Sequence, residues 1–170
     1  MDDGIRRHAT VTSTQDVLRD LARGGAPGGT AVVADAQSAG RGSNGRTWES
    51  PAGMGLYASV LVRPAPAAPD RLAALPLRVG AAVADALAGA VRVKWPNDLV
   101  APDGRKVGGV LVEAEASGGA VAFVLVGVGL NVRSALLPAS LRGSAAALDE
   151  LVDEVPRDLA ERVVAAVRTA

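Results

Sequence analysis

The chain has 170 residues, a formal net charge of +0 and no cysteine. The balanced charge argues against general nucleic-acid binding, and the missing cysteine excludes a disulfide scaffold, a thiolate metal site and cysteine-based acyl transfer. Hydrophobic residues make up 49% of the sequence, which is too many for a disordered chain, yet no apolar run is long enough to cross a bilayer. These properties predict one cytoplasmic domain with a hydrophobic core and no membrane partner.

Local sequence signals predict a helix and two strands in the first half of the chain. Ser13 or Thr14 precedes apolar residues at helical spacing, and a hydroxyl in that position is a typical N-cap. Residues 30–34 and 56–62 are short and rich in apolar side chains, which predicts two buried strands. The intervening residues 35–55 are rich in glycine and lack apolar periodicity, so they predict a long loop. Loops of that length in a compact domain are usually functional or disordered.

The second half of the chain predicts two helices and three strands. Residues 69–89 have a helical pattern, and residues 91–95 form a predicted strand that stops at a proline. Residues 107–116 and 120–126 predict a hairpin joined by a Ser-Gly-Gly turn. Residues 156–168 predict an amphipathic helix with proline in its first turn. This order of elements predicts an α+β fold, with a mixed or antiparallel sheet covered by helices on one face.

A segment rich in glycine and arginine, residues 40–48, lies inside the predicted loop. Its glycines let backbone N–H groups turn toward an anion, and Arg41 and Arg46 add fixed charge in a geometry that suits phosphate or carboxylate. Trp48 could stack on a flat ligand such as a nucleobase. By itself the segment is also typical of a mobile surface loop, and it lacks the Gly-Lys-Ser/Thr ending of a P-loop.

Three later segments carry polar groups beside glycine or proline. Residues 94–98 place a cation, an amide and a carboxylate at the exit of a strand, although Asn and Asp there are also typical of a simple turn. Residues 106–109 and 127–131 contain glycines that leave room for a ligand or another backbone to approach closely, and a β-bulge is the alternative for the first of these. Glu113 and Glu115 alternate with alanine and are interpreted as a solvated face rather than a catalytic pair.

Taken together, these segments resemble the biotin protein ligases of the biotin/lipoate ligase superfamily. The motifs occur in the family's order and at family-like spacing over roughly residues 10–135. The matching stretches are Ser13-Thr14, 37–48, Ser50-Pro51 with Gly55-Leu56-Tyr57, 94–98, 106–109 and 127–131. The resemblance implies a catalytic domain of the biotin-ligase type, which is related in fold to the class II aminoacyl-tRNA synthetases.

The resemblance implies a two-step reaction that uses ATP and Mg²⁺. The carboxylate of biotin attacks the α-phosphate of ATP, which gives biotinyl-5′-adenylate and pyrophosphate. A lysine of a biotin carboxyl carrier protein domain then takes the biotin and releases AMP. Bringing two anions together requires cations in a site screened from water. The Mg²⁺ ion is expected to be held mainly by phosphates, so no metal-binding residue of the chain is assigned.

The family's functional positions map onto individual residues of this chain. The implied catalytic residues are the cations Lys106, Arg41 and Lys94, with Asp98 as a candidate base. The implied biotin-binding residues are Ser13, Thr14, Gln15, Gln37, Arg41, Gly42, Ser43, Lys106, Gly109 and Gly127. The implied nucleotide-binding residues are Arg46, Trp48, Lys94, Asn97, Gly129 and Asn131. Within these sets, Ser13, Thr14 and Gln37 match the positions for the ureido head of biotin, and Trp48 matches the position that packs near adenine.

Several features depart from the family's usual pattern. Ser43 stands where a second arginine is usual; because serine carries no charge, we expect looser retention of the adenylate, and equal adenylate off-rates for the wild type and Ser43→Arg would contradict this. The sequence ends at Ala170, where relatives usually continue into a small β-barrel, and no helix-turn-helix precedes the motifs. Residues 1–170 are therefore expected to be the catalytic domain alone, without operator binding. Gln15 stands where asparagine is more usual, which keeps the amide.

Two alternative functions stay open at this point. A lipoate or octanoate transferase would share the superfamily, but the missing cysteine excludes the cysteine-dependent members and residues 40–48 resemble the biotin type. A paralogue that binds biotin or a carrier domain without ligating them would be consistent with Ser43. The retained Lys94, Lys106 and Asp98 argue against that paralogue. The sequence leaves open whether the chain is a monomer or a homodimer.

Overall fold

The computed structural model describes residues 4–63 and 72–170, and in these residues seven strands form one mixed sheet. The strands are β1 (Ile5–Val11), β2 (Ala31–Gln37), β3 (Gly55–Val62), β4 (Arg92–Lys94), β5 (Asp98–Val100), β6 (Lys106–Ser117) and β7 (Ala120–Asn131). Across the sheet they lie in the order β1-β2-β3-β7-β6-β5-β4. The β1–β2 pair is parallel and the other neighbouring pairs are antiparallel. The long β6–β7 hairpin therefore forms the centre of the sheet.

Three α-helices accompany the sheet in the described part of the chain: α1 (Thr14–Arg23), α2 (Leu75–Ala86) and α3 (Leu159–Thr169). The helix α1 begins where predicted, because Ser13 is extended and its Oγ accepts the backbone N–H of Gln15 at 3.3 Å. The helix α2 has Pro76 in its first turn, where the missing N–H has no partner to lose. No helix in these residues is both long enough and apolar enough to span a membrane.

The two faces of the sheet bury different hydrophobic clusters, because successive side chains on a strand point to opposite sides. Val60 and Val126 pack with α2 and α3 in the larger cluster. The smaller cluster lies beneath α1 and consists of Leu18, Ala22, Val32, Leu61, Phe123 and Leu125. The α+β class and the mixed sheet are confirmed, but helices cover both faces rather than one. The continuous apolar runs in β3 and β7 are what a sheet covered on both sides requires.

Two strands are not predicted by the sequence pattern. In the edge strand β1, buried and exposed side chains do not alternate clearly, since most of them are exposed or half-exposed. Its pairing with β2 is a long-range contact. The strand β5 has three residues, too few for a periodic signal. The strand predicted over residues 91–95 is present in part, as β4.

The remaining differences concern where elements begin and end. Residues 127–131, treated as a segment after a strand, are the second half of β7, and the strand predicted over 30–34 continues to the end of β2. The helix predicted over 156–168 begins later, as α3. Of the helix predicted over 69–89, residues 72–73 and α2 are helical, and residues 69–71 lie outside the described residues. Element boundaries depend on tertiary pairing, which local propensity does not contain.

Candidate functional site

A cavity of about 340 Å³ opens on the face of the sheet that carries α1. Its floor includes Gly127 and Gly129 of β7, with Ser59 of β3 directly opposite Gly127. Two residues along the same face, Leu61 lies opposite Leu125, and these larger side chains fill the space beneath α1. Glycine and serine are smaller than leucine, so at these positions the same face of the sheet lines a cavity instead of a packed core.

The N-terminal turn of α1 forms one wall of the cavity with almost fully buried side chains. Ser13, Thr14 and Gln15 are 1%, 4% and 3% exposed. The backbone N–H of Thr14 donates to Gln37 Oε1 at 2.9 Å, and Thr14 Oγ1 lies 2.8 Å from Ser59 Oγ. Because unpaired buried polar groups are costly, such a cluster suits a ligand whose polar head completes the hydrogen bonding.

Gln15 lies against the floor of the cavity beside Gly127. Its Nε2 donates to the carbonyl oxygen of Leu111 at 3.3 Å. Its Oε1 is buried and has no hydrogen-bond partner among the residues that the structure describes. A Cβ at position 127 would lie 3.2 Å from Gln15 Nε2, so glycine there lets the side chain lie close to β7.

The segment of residues 40–48 folds into a tight loop at the cavity. The backbone N–H of Gly42 donates to the carbonyl of Arg46 at 2.7 Å, and that of Trp48 donates to the carbonyl of Gly40 at 2.9 Å. A Cβ at Gly40 would lie 2.4 Å from the Trp48 carbonyl oxygen, so closing the loop requires glycine. The Arg46 side chain is held locally, since its Nη2 donates to Ser43 Oγ at 3.1 Å.

A flat ring, an ammonium group and a carboxylate meet near Gly129. The Trp48 ring lies on the backbone of Gly129, where an added Cβ would be 2.8 Å from Trp48 Nε1. Lys106 Nζ lies 5.4 Å from the centre of a Trp48 ring and 2.6 Å from Asp98 Oδ1. An aromatic face beside a cation suits a ligand that joins a planar base to an anionic group.

Arg41 lies at the rim of the cavity in ion pairs with α1 and β6. Its Nη1 is 2.7 Å from Asp16 Oδ1 and its Nη2 is 3.1 Å from Glu113 Oε2. Partial burial by itself would lower the pKa of Arg41, but hydrogen bonds to the two carboxylates outweigh burial and raise that pKa. Glu115 pairs with Arg23 at 2.9 Å. Glu113 and Glu115 are part-exposed, as the interpretation as a solvated face predicts, but β6 also brings both acids into ion pairs with arginines of α1 and of the loop.

Most residues that the sequence assigns to the site line this cavity, and their roles remain predictions. Lys94 is exposed on β4, outside the lining, and Asp98 is linked to the cavity by its ion pair with Lys106. Asn97 and Asn131 line the cavity, but their side-chain N–H groups donate to backbone carbonyls. The other assigned residues in the lining are Ser13, Thr14, Gln15, Gln37, Arg41, Gly42, Ser43, Arg46, Trp48, Lys106, Gly109, Gly127 and Gly129.

Some lining residues are missing from the sequence-based assignment. Tyr57 and Ser59 lie on the cavity face of β3. Alternate residues of a strand point to the same face, so their two-residue spacing is the sequence signal that relates them. A segment with no periodicity adds Leu141, Ser144 and Ala145 to the lining. The contact of Asp16 with Arg41 joins parts of the fold 25 positions apart in sequence, so no local pattern predicts it.

Comparison with known proteins matches one family model, and the similar proteins reported below are all named as ligases. The model of the Biotin/lipoate A/B protein ligase family matches residues 8–131. The "Bifunctional ligase/repressor BirA" of Bacillus spizizenii is 36% identical over 150 residues, which cover 85% of this chain and 46% of that relative. The chain thus spans less than half the length of this relative.

Solved structures of biotin protein ligases have the same fold. The ligase of Leishmania major in complex with biotin aligns with a TM-score of 0.81 at 31% identity, covering 99% of this chain and 74% of that one. Its complex with biotinyl-5-AMP aligns at 0.79 and 32% identity, covering 96% and 73%. The ligase of Aquifex aeolicus in complex with biotin and ATP aligns at 0.79 and 33% identity, covering 97% and 68%.

Proposed function

The chain belongs to the biotin/lipoate A/B protein ligase family, and from this membership we propose that it is the catalytic unit of an ATP-dependent biotin protein ligase. One observation carries the proposal: the cavity changes in chemistry along β7. Buried hydroxyls and amides lie near Gly127, whereas an aromatic ring and a cation lie near Gly129. Biotin and ATP together present the same order, from a polar ureido head to an anionic phosphate and a planar base.

The ureido head of biotin is assigned to the cluster around the N-terminus of α1. Ser13, Thr14 and Gln37 offer hydroxyl and amide groups that are already oriented by hydrogen bonds within the wall. Such fixed groups bind without further ordering, and a ligand lacking the matching polar atoms would leave them unpaired. The fused ring and alkyl tail are assigned to the slot lined by Gly109 and Leu111.

The first step joins two anions, and the cations of the site are assigned to reduce their repulsion. A carboxylate oxygen of biotin attacks the α-phosphorus of ATP, the bond to the bridging oxygen breaks, and pyrophosphate leaves with that electron pair. Lys106 is assigned to contact the reacting carboxylate and phosphate, with Arg41 and Arg46 at the rim of the cavity, whereas Lys94 is exposed on β4 outside the lining and is assigned no contact here. Charges held in place before the reaction stabilise developing charge without reorganisation. Mg²⁺ enters as part of the nucleotide substrate, bound mainly through phosphate oxygens.

The second step transfers biotin to a carrier domain. The uncharged amine of a carrier lysine attacks the anhydride carbonyl, the carbonyl–oxygen bond to phosphate breaks, AMP leaves, and the nitrogen loses a proton. Asp98 is assigned to holding Lys106, because its Oδ1 lies 2.6 Å from Lys106 Nζ. This role uses the contact that the carboxylate makes, whereas a general base would need to reach the incoming amine.

Intact-mass spectrometry of a biotin carrier domain tests the proposal. The domain is incubated with this protein, biotin and Mg·ATP, and lipoate replaces biotin in a parallel reaction. We expect one added biotin and no addition from lipoate. Addition of lipoate would make the chain a lipoate-type ligase. No addition in either reaction, with biotin binding retained in calorimetry, would make it a binding paralogue and would overturn the catalytic proposal.

A further inference from the structure

The guanidinium of Arg41 contacts carboxylates on two sides at the rim of the cavity. Its Nη1 donates to both carboxylate oxygens of Asp16, at 2.7 and 2.8 Å, and its Nη2 donates to Glu113 Oε2 at 3.1 Å. Asp16 belongs to the first turn of α1, and Glu113 lies on β6. Two separate elements therefore fix the position of one arginine.

The same carboxylates also bind a second arginine. Arg19 Nη1 lies 2.8 Å from Asp16 Oδ1, and Arg19 Nη2 lies 2.9 Å from Glu113 Oε2. The four side chains carry two positive and two negative charges, and the ion pairs continue from Arg19 to Glu115 and Arg23, which add one charge of each sign. An anion that approaches Arg41 consequently meets a cation whose charge is already partly neutralised. Part-exposed ion pairs of this kind are weak, so one substitution can change the affinity of Arg41 for an anion.

We propose that Asp16 is a positioning residue that sets the strength of Arg41 as an anion-binding group. Its carboxylate keeps the guanidinium at the rim and lowers the affinity of the cavity for an anionic ligand below what Arg41 alone would give. This inference rests on the proposed function, in which Arg41 faces the carboxylate of biotin and the phosphate joined to it. Asp16 is the stronger of the two partners, since it makes two contacts with Arg41 and both are shorter than the contact from Glu113.

Asp16→Asn separates the charge of Asp16 from its hydrogen bonding, because an asparagine can still accept a hydrogen bond from Arg41. The measurement is calorimetric binding of biotin, which is an anion, and of biotin amide, which has the same ring and no charge. We expect Asp16→Asn to tighten biotin binding by about 1.5- to fivefold, the range of one part-exposed ion pair. Binding of the amide is expected to be unchanged.

Asp20→Asn is the matched control, since Asp20 is an exposed carboxylate on the same helix and makes no ion pair with Arg41 in the described residues. It removes the same charge and is expected to leave both ligands unaffected. In an Arg41→Gln background, Asp16→Asn is expected to lose its effect, because the two substitutions act through one contact. Glu113→Gln provides a second variant, with tighter biotin binding expected and the sequence of α1 unchanged.

Several results would overturn the inference. Weaker biotin binding by Asp16→Asn, an equal change for biotin and its amide, an equal effect of Asp20→Asn, or an effect that persists without Arg41 would each do so. If the wild-type chain binds biotin and only these ratios fail, the proposed function stands and the role of Asp16 falls. If the wild-type chain binds neither biotin nor biotin amide, the proposed function fails and this inference fails with it.

Discussion

Gly129 determines where the Trp48 ring can lie. With no Cβ, the strand lets the indole rest on its backbone, and the role of both residues at a nucleotide stays a prediction. The contact explains why a glycine occurs inside an otherwise apolar strand that needs none for its own geometry. The aromatic side chain and the glycine therefore act as one unit.

Replacing Gly129 with alanine is expected to displace the Trp48 ring and weaken ATP binding. The new Cβ would lie 2.8 Å from Trp48 Nε1 and Cε2, which real contacts do not tolerate. Loss of base stacking predicts about tenfold weaker binding, measured by calorimetric titration of ATP in the presence of biotin. Gly28→Ala is the control, because its Cβ would meet Arg63 at an ordinary 3.6 Å. Unchanged ATP affinity in Gly129→Ala would separate Trp48 from the nucleotide.

Tyr57 allows a direct test of burial at the same end of the cavity. It is the single tyrosine of the sequence, it is 1% exposed, and its hydroxyl donates to the carbonyl of Pro51 at 3.1 Å. Burial raises the pKa of Tyr57 from 10.0 to about 12. Since the folded chain holds its phenol proton more tightly than the unfolded chain, this contribution to stability is complete below pH 10 and is lost as the pH rises toward 12.

Ultraviolet absorbance of the phenolate measures this shift without interference from other tyrosines. We expect a midpoint near 12 for the folded protein and near 10 in denaturant, with the signal absent from Tyr57→Phe. A folded-state midpoint near 10 would contradict the burial of this hydroxyl.

At the scale of elements, the strand β6 presents two adjacent glycines to opposite environments. A Cβ at Gly108 would lie 2.5 Å from the carbonyl oxygen of Gly129 and 2.6 Å from Leu130 Cδ2, inside the sheet and core. A Cβ at Gly109 would lie 3.4 Å from the Asn97 carbonyl oxygen and 3.6 Å from Lys106 Cε, in ordinary contact beside the cavity. Neighbouring positions on one strand thus face the core and the cavity separately.

Alanine at the two positions is expected to separate stability from ligand binding. Gly108→Ala should lower the free energy of unfolding by about 1–3 kcal/mol or more, as overpacking does, and Gly109→Ala should change it by less than about 1 kcal/mol. Biotin affinity should fall in Gly109→Ala because the slot narrows. Urea denaturation and calorimetry, carried out on each variant, measure the two quantities. Equal losses of stability would contradict the assignment of the two faces.

The elements that the sequence predicts best are those with strong local signals. The N-cap at Ser13 and the hairpin turn at 117–119 follow from the chemistry of single residues, and both are present. The edge strand β1 and the position of α1 on the opposite face from α2 and α3 depend on long-range pairing. The same division holds in the site: motif residues such as Lys106 are assigned from sequence, whereas the partners Asp16 and Glu113 emerge from packing.

At the scale of the whole molecule, the sheet separates a large core from a small one. Both α2 and α3 rest on the larger cluster, while α1 rests on a cluster of six buried side chains and supplies the wall of the cavity. Segments held by fewer buried contacts open at lower free energy than the rest of a protein. The region assigned to biotin is therefore also the region expected to open first.

Hydrogen exchange is expected to resolve this difference in local stability. Without ligand, amides of α1 should exchange faster than those of α2 and α3. Biotin at about 100 times its dissociation constant should slow exchange of α1 by up to about 100-fold, because openings that destroy the site become that much rarer. Mass spectrometry of peptides from each helix measures the rates. Equal protection of all three helices without biotin would mean that the domain opens as one unit.

The ion pair between Lys106 and Asp98 has a consequence for self-modification. The chain has two lysines and 16 arginines, and since Lys106 is held in the cavity by Asp98, the exposed side-chain amine is that of Lys94. A guanidinium stays protonated and is a poor nucleophile at neutral pH. A protein that uses arginine for nearly all of its cations thus offers few targets to a reactive acyl-adenylate. If the chain forms a biotinyl-adenylate as proposed, an escaped molecule would acylate neighbouring proteins more readily than this chain.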